Sequence, residues 1–196
     1  MTDLLIATNN AGKVREFQEL FAGLNLRLIA PSSLGLRLEV EENGTTYREN
    51  ARLKASAFAR ASGLLTLADD SGLEVDALGG GPGLRSSRYA GAGASDSERV
   101  RFLLSKLEGV PWEKRTARFR CVIALAASGA EEHFFEGICE GIIALEPRGQ
   151  QGFGYDPIFY FPEYRQTMAE LDPALKNRIS HRGRAAAEAA RFLSRP

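Results

Sequence analysis

Short apolar runs broken by polar turns alternate along this chain with stretches in which apolar residues recur every three or four positions. That alternation predicts a mixed α/β fold. Leu4-Leu5-Ile6-Ala7 reads as a buried strand running into Thr8-Asn9-Asn10-Ala11-Gly12-Lys13. Val14, Phe17, Leu20 and Phe21 follow at helical spacing, with Arg15, Glu16 and Glu19 opposite them. A second strand is predicted over Leu26 to Ile29. A third, Leu64 to Ala68, is expected to end in a polar turn at Asp69-Asp70-Ser71-Gly72.

Thr46-Tyr47-Arg48-Glu49 fits a capping box opening an Ala-rich helix that ends near Gly63. Ser95-Asp96-Ser97-Glu98 is a second box, ahead of the stripe Val100, Leu103, Leu104 and Leu107. Between these helices, Gly79 to Gly83 is too glycine-rich for a regular element. From Ala117 to Leu145 the period becomes two, which predicts a long hairpin turning at Ser128-Gly129. Its Arg118 and Arg120 are expected to pair across strands with Glu136 and Glu140, as a solvated sheet face. Two further helices, Pro173 to Arg178 and Arg184 to Leu193, flank Ser180-His181-Arg182-Gly183. With no repeat, low-complexity segment or linker, residues 1–196 are expected to form one domain of two lobes sharing one sheet.

Composition narrows the function classes. The 196 residues are 44% hydrophobic and 26% charged, with Lys plus Arg equal to Asp plus Glu at 25 each. Such a balance gives no overall field for nucleic acid or membrane, so neither is an expected partner. Met1-Thr2-Asp3 opens no signal peptide and no apolar segment could span a bilayer, which points to the cytoplasm. Cys121 and Cys139 lie in apolar strand-like segments and are expected as buried free thiols. His133 and His181 are too few to complete a zinc cluster with them, leaving open a hard ion held by oxygen.

Asp69-Asp70 is the sharpest chemical feature. Two carboxylates behind a buried strand repel one another and lose hydration, so a bound cation would compensate them. These residues alone leave turn and metal site equally open. Thr8 to Lys13 has the form of an anion site, with a hydroxyl, amides and backbone N–H groups at a helix start beside a lysine. It could equally be a helix cap, and it is not a Walker A loop. Glu41-Glu42 stands just before a helix start, where acidic residues favour the dipole, but one of its carboxylates could join Asp69-Asp70 at magnesium. Phe153-Gly154-Tyr155-Asp156 suits either a planar base or core packing. His181, flanked by a hydroxyl and a guanidinium, could read the edge of a ligand, and Lys176 lies near it in sequence.

In this order, Thr8–Lys13, Glu41–Ala51, Ala68–Leu73, Phe153–Pro157 and Lys176–Gly183 resemble the Ham1-like inosine triphosphatase family over nearly the whole chain. The departures, Asn43 where Thr is frequent and Tyr47 where Phe is frequent, touch no expected ligand. The resemblance implies an elongated two-lobed α/β fold with a long central mixed sheet flanked by helices, an active-site cleft between lobes, and a homodimer. It implies Mg2+-dependent hydrolysis of ITP, dITP or XTP to monophosphate and pyrophosphate, which cleanses the nucleotide pool. Carried over by position, Glu41 and Asp70 would hold the metal and Asp70 would activate water. Thr8, Asn9, Asn10, Ala11, Gly12, Lys13, Ser71, Phe153, Gly154, Tyr155, Asp156, Lys176, His181 and Arg182 would bind substrate. His181 and Arg182 would lie beside the base, where a donor favours a 6-keto purine over adenine. The alternatives are a pyrophosphatase for other modified nucleotides and a nucleotide-binding protein without turnover.

Overall fold

The computed structural model describes residues 1–195. Its strands are β1 (Thr2–Ile6), β2 (Leu26–Ile29), β3 (Leu65–Val75), β4 (Thr116–Ala126), β5 (His133–Ile143), β6 (Phe159–Phe161) and β7 (Gln166–Thr167). Its α-helices are α1 (Ala11–Leu20), α2 (Tyr47–Ser62), α3 (Asp96–Lys106), α4 (Pro173–Ile179) and α5 (His181–Leu193). One sheet of seven strands runs in the order β2-β1-β3-β4-β5-β6-β7. β1 is parallel to both β2 and β3, whereas β5-β6 and β6-β7 are antiparallel. The connection from Ala126 to His133 is too short for a parallel crossover, so β4 and β5 form the expected hairpin.

The chain divides into two compact units. The first comprises residues 1–70, 121–137 and the chain from His181 onward. Within it, adjacent strand residues belong to two different apolar clusters, as a period of two requires. Leu4, Ile6, Leu67, Cys121, Ile123 and Leu125 pack with Phe17 and Phe21 and with Ala185, Ala186 and Ala189 of α5. Leu5, Ala7, Ala68, Val122, Ala124 and Ala126 pack with Ala51, Ala55, Phe58 and Ala59 of α2. Helices α1 and α5 therefore cover one face of these strands and α2 covers the other. The second unit, residues 71–120 and 138–180, has its own core of Leu73, Val75, Leu103, Leu107, Phe119, Ile143, Phe159 and Met168.

The chain leaves β1 first to β2 on one side and later to β3 on the other. Parallel strands that diverge in this way open a crevice beyond their carboxyl ends. The loop Thr8–Asn10 emerges there, with the Ala7 N–H bonded to the Leu67 carbonyl at 2.7 Å.

Four local expectations are corrected. Asp69 to Gly72 is no turn: β3 runs through it to Val75. Arg118 and Arg120 pair with Glu74 and Asp76 rather than with Glu136 and Glu140, because the basic strand lies beside β3 as well as β5. His181-Arg182-Gly183 is the first turn of α5, so Ser180 alone separates α4 from α5. At Thr46 only half a capping box forms: Thr46 Oγ1 accepts the Glu49 N–H at 3.1 Å, while Glu49 reaches back to Thr45. The box at Ser95 is reciprocal, as expected.

Candidate active site

The alternation of β3 carries past Ala68 into its acidic residues. Leu67 faces α1 and α5, so Asp69 does too; Ala68 faces α2, so Asp70 does too. Neighbours in sequence thus enter opposite surroundings.

On the Asp69 side, four donors converge on Oδ2. Lys13 Nζ lies at 2.9 Å, Arg182 Nε at 3.2 Å and Arg182 Nη2 at 3.0 Å, with the Cys121 thiol at 3.8 Å. The Arg182 Nη1 reaches Glu16 Oε2 at 2.7 Å. Asp69 Oδ1 is buried without a hydrogen-bond partner, an acceptor left open. Burial alone would raise the Asp69 carboxyl. The charges of Lys13, Arg182 and Lys54 override it and hold the group well below the usual carboxylate range. The same ion pairs keep Arg182 charged despite its burial. Burial beside the Asp69 charge pushes the Cys121 thiol upward, so it is inert rather than nucleophilic.

Lys13 comes from the first turn of α1. Asn10 caps that helix, its Oδ1 accepting the Lys13 N–H at 3.1 Å, and Thr8 Oγ1 accepts the Asn10 N–H at 3.2 Å. Asn9, Asn10 and Ala11 are exposed, so the helix start faces solvent. An exposed N-terminus with an ammonium held at its edge suits an anion.

On the Asp70 side stands α2. Asn50 Nδ2 donates to Asp70 Oδ2 at 3.2 Å, and Asn50 Oδ1 accepts the Gly44 N–H at 2.8 Å. The second bond fixes which way the amide points, so Asn50 can only donate to Asp70. Lys54 Nζ bridges Asp70 Oδ1 at 3.5 Å and Glu42 Oε1 at 3.0 Å. Burial raises the Asp70 carboxyl above its ordinary range and the Glu42 charge adds to the rise, against the pull of Lys54. Burial works against the Lys54 charge, but Asp70, Asp69 and Glu42 reverse the balance and raise it. Of the acidic pair before α2, it is therefore Glu42 that the fold ties to Asp70, while Glu41 is exposed. Among the described residues no three His, Cys, Asp or Glu side chains converge as a closed metal cage.

In the second unit, Asp156 organises the remaining expected residues. Its Oδ2 accepts the Phe153 N–H at 3.0 Å and Lys176 Nζ at 2.8 Å. The Lys176 ammonium stands 5.4 Å from the centre of the Phe153 ring. Gly152 has φ of +79°, and a Cβ there would lie 2.0 Å from Asp156 Oδ2, so the close turn admits only glycine. Tyr155 is buried, with its hydroxyl donating to the Ser86 carbonyl at 2.9 Å.

The family model for the Ham1 family matches residues 4–192. The chain belongs to the Ham1 family. A relative named dITP/XTP pyrophosphatase from Desulforamulus reducens is 53% identical over 98% of this chain and 96% of its own length. One of the same name from Bacillus subtilis is 46% identical, covering 98% of each chain. The solved HAM1 protein from Coxiella burnetii superposes with a TM-score of 0.89 at 45% identity, over 99% of both chains.

Of the expected residues, Thr8–Lys13, Glu41, Asp70, His181 and Arg182 lie in the first unit and Ser71, Phe153–Asp156 and Lys176 in the second; direct contacts join Lys13 to Arg182 through Asp69, and Asp156 to Phe153 and Lys176. Sequence reasoning missed Glu16, Asn50 and Lys54 as members of these networks, and within the pair Glu41-Glu42 it favoured Glu41 where the fold engages Glu42. A signal existed for two of them. Asn50 and Lys54 are four residues apart on the same helix face as the buried Ala51 and Ala55, and polar side chains on a buried stripe need a partner.

Proposed function

We propose that this chain is a nucleoside triphosphate pyrophosphatase that hydrolyses non-standard purine nucleotides such as ITP, dITP and XTP to the monophosphate and pyrophosphate. The reading is carried by kinship with dITP/XTP pyrophosphatases at about half identity over nearly the full length. The acidic pair within β3 supports it: a carboxylate bonded to Asn50 and Lys54 on one face, and on the other a lysine paired with Asp69 beside an exposed helix start.

Water attacks the α phosphorus, a new P–O bond forms, the bridge between the α and β phosphates breaks, and pyrophosphate leaves. Asp70 accepts the proton of the water. Asn50 fixes the orientation of Asp70. The phosphates lie at the α1 N-terminus, with Thr8, Asn9, Asn10, Ala11 and Gly12 supplying polar groups and Lys13 the charge. Arg182 acts here through Asp69, which holds the Lys13 ammonium in place. The family resemblance supports Ser71, Phe153, Gly154, Lys176 and His181 as nucleoside contacts, while Tyr155 and Asp156, buried and bonded within their own unit, shape the loop that carries Phe153.

The donor set fits magnesium. Its oxygens are hard, its carboxylates few, and the Lys54 ammonium already marks a place where positive charge is stabilised between Glu42 and Asp70. Asp70 with a carboxylate of the Glu41-Glu42 pair would hold the ion, which when bound would offset phosphate charge and favour ionisation of water. Cys121 and Cys139 are buried and not joined in a disulfide, which supports a reducing, cytoplasmic setting. The family resemblance supports a homodimer.

Asp70→Asn is the direct test. It should lower ITP turnover by about 10²–10⁴-fold with the fold retained, as removal of a general base does. A variant with near-normal turnover would take Asp70 out of this role.

A further inference from the structure

The segment Ser95-Asp96-Ser97-Glu98 does more than start α3. Ser95 and Glu98 complete the capping box between themselves, the Ser95 N–H donating to Glu98 Oε2 at 2.7 Å and the Glu98 N–H to Ser95 Oγ at 3.3 Å. Asp96 has no part in the box. Its Oδ2 accepts the N–H of Gly154 at 2.7 Å, across 58 residues of chain. Its Oδ1 is paired with the Arg99 guanidinium. Arg99 also donates to the carbonyls of Ser87 and Ala94, so the group that orients Asp96 is itself tethered.

The neighbouring amide is held in the same manner, since the Phe153 N–H donates to Asp156 Oδ2 at 3.0 Å. Each of the two peptide planes flanking the Phe153 Cα is therefore bound by a carboxylate. Fixing both planes fixes φ and ψ of Phe153, and with them the direction in which its ring leaves the backbone. Gly154 itself sits at φ of +64° with nothing within 4 Å of where a Cβ would stand. Glycine is there for backbone freedom, and that freedom makes an anchored amide necessary for one defined conformation.

We infer that Asp96 is a positioning residue for the base: oriented by Arg99, it locks the Phe153–Gly154 peptide so that Phe153 presents its ring to the nucleotide. The inference rests on the nucleotide-binding reading of Phe153 given above. It assigns to the start of α3 a part in substrate affinity that capping alone would not give it.

The experiment uses the full chain with Asp96→Ala and Asp96→Asn. The Asp96 side chain is 45% exposed, so both variants should fold. In Asp96→Ala the KM for ITP should rise about tenfold while kcat stays within about twofold, the pattern of lost binding rather than lost chemistry. Amide hydrogen exchange at Gly154, measured without nucleotide, should accelerate. Asp96→Asn has one acceptor for two donors, the Gly154 N–H and the Arg99 guanidinium, and should also lose affinity and protection. An unchanged KM or unchanged Gly154 exchange in Asp96→Ala would each overturn the assignment. A wild-type chain that releases no pyrophosphate from ITP would overturn the nucleotide reading and this assignment with it. The exchange result separately decides whether Asp96 holds the loop.

Discussion

Asp69 and Asp70 are bonded neighbours with opposite electrostatics, and strand geometry is the cause. One side chain enters a pocket of cations and is held ionised; the other enters a pocket where burial and Glu42 favour its protonated form. Asp69→Asn would leave Lys13 and Arg182 buried without their shared carboxylate, a loss of about 3–5 kcal/mol for a buried pair. The pH dependence follows from the lowered carboxyl. The stability that Asp69 contributes is fully present above its ordinary value of 3.8 and is lost as pH falls below it. The gap in melting temperature between wild type and Asp69→Asn should be constant near neutrality and narrow below about pH 4. A gap that widens with acid would contradict the ion-pair account. The residue types of this site were legible in the sequence, since acids, lysine and small polar residues stand out there. Their partners were not. Lys54, Glu16 and Asn50 meet Asp69 and Asp70 only through packing of α1, α2 and α5 on the sheet, which no local pattern encodes.

At the scale of elements, strand pairing overrides local preference. Asp, Ser and Gly favour turns, yet β3 continues past its last pairing with β1 at Leu67, with β4 as its other neighbour. Helix limits were read more closely where caps and glycines mark them, as at Thr46, Gly63 and Ser95. The start of α5 has a cap residue in Ser180, but Gly183 inside its first turn disguises it, which is why His181 and Arg182 were expected in a loop. That first turn is set by close packing on β5. A Cβ on Gly137 would stand 2.0 Å from the His181 carbonyl oxygen and 2.6 Å from the Ala185 nitrogen, both backbone atoms. Gly137→Ala should therefore shift α5, lowering stability by more than about 1–3 kcal/mol, the usual cost of overpacking. It should also impair ITP hydrolysis, because His181 and Arg182 move with the helix. Thermal unfolding and activity measured together check both; a variant with wild-type values in each would contradict the packing described here.

At the scale of the molecule, two separate apolar clusters hold α1, α5 and α2 on the two faces of the same strands, and Asp69 and Asp70 between them receive polar groups from all three helices. The alternating pattern of runs and helical stripes announced an α/β sheet, and the order of the motifs announced the family. Neither announced β6 and β7, whose strands of three and two residues are too short to leave a period. The proposed reaction is cleavage between the α and β phosphates of a 6-keto purine nucleotide, with selectivity against adenine. The measurement that tests it most directly is product analysis after incubation with ITP, XTP, ATP and GTP, with and without magnesium. Pyrophosphate and monophosphate should form from ITP and XTP, much faster than from ATP or GTP, and only with the metal present. Orthophosphate as the product, or equal rates on all four nucleotides, would contradict it.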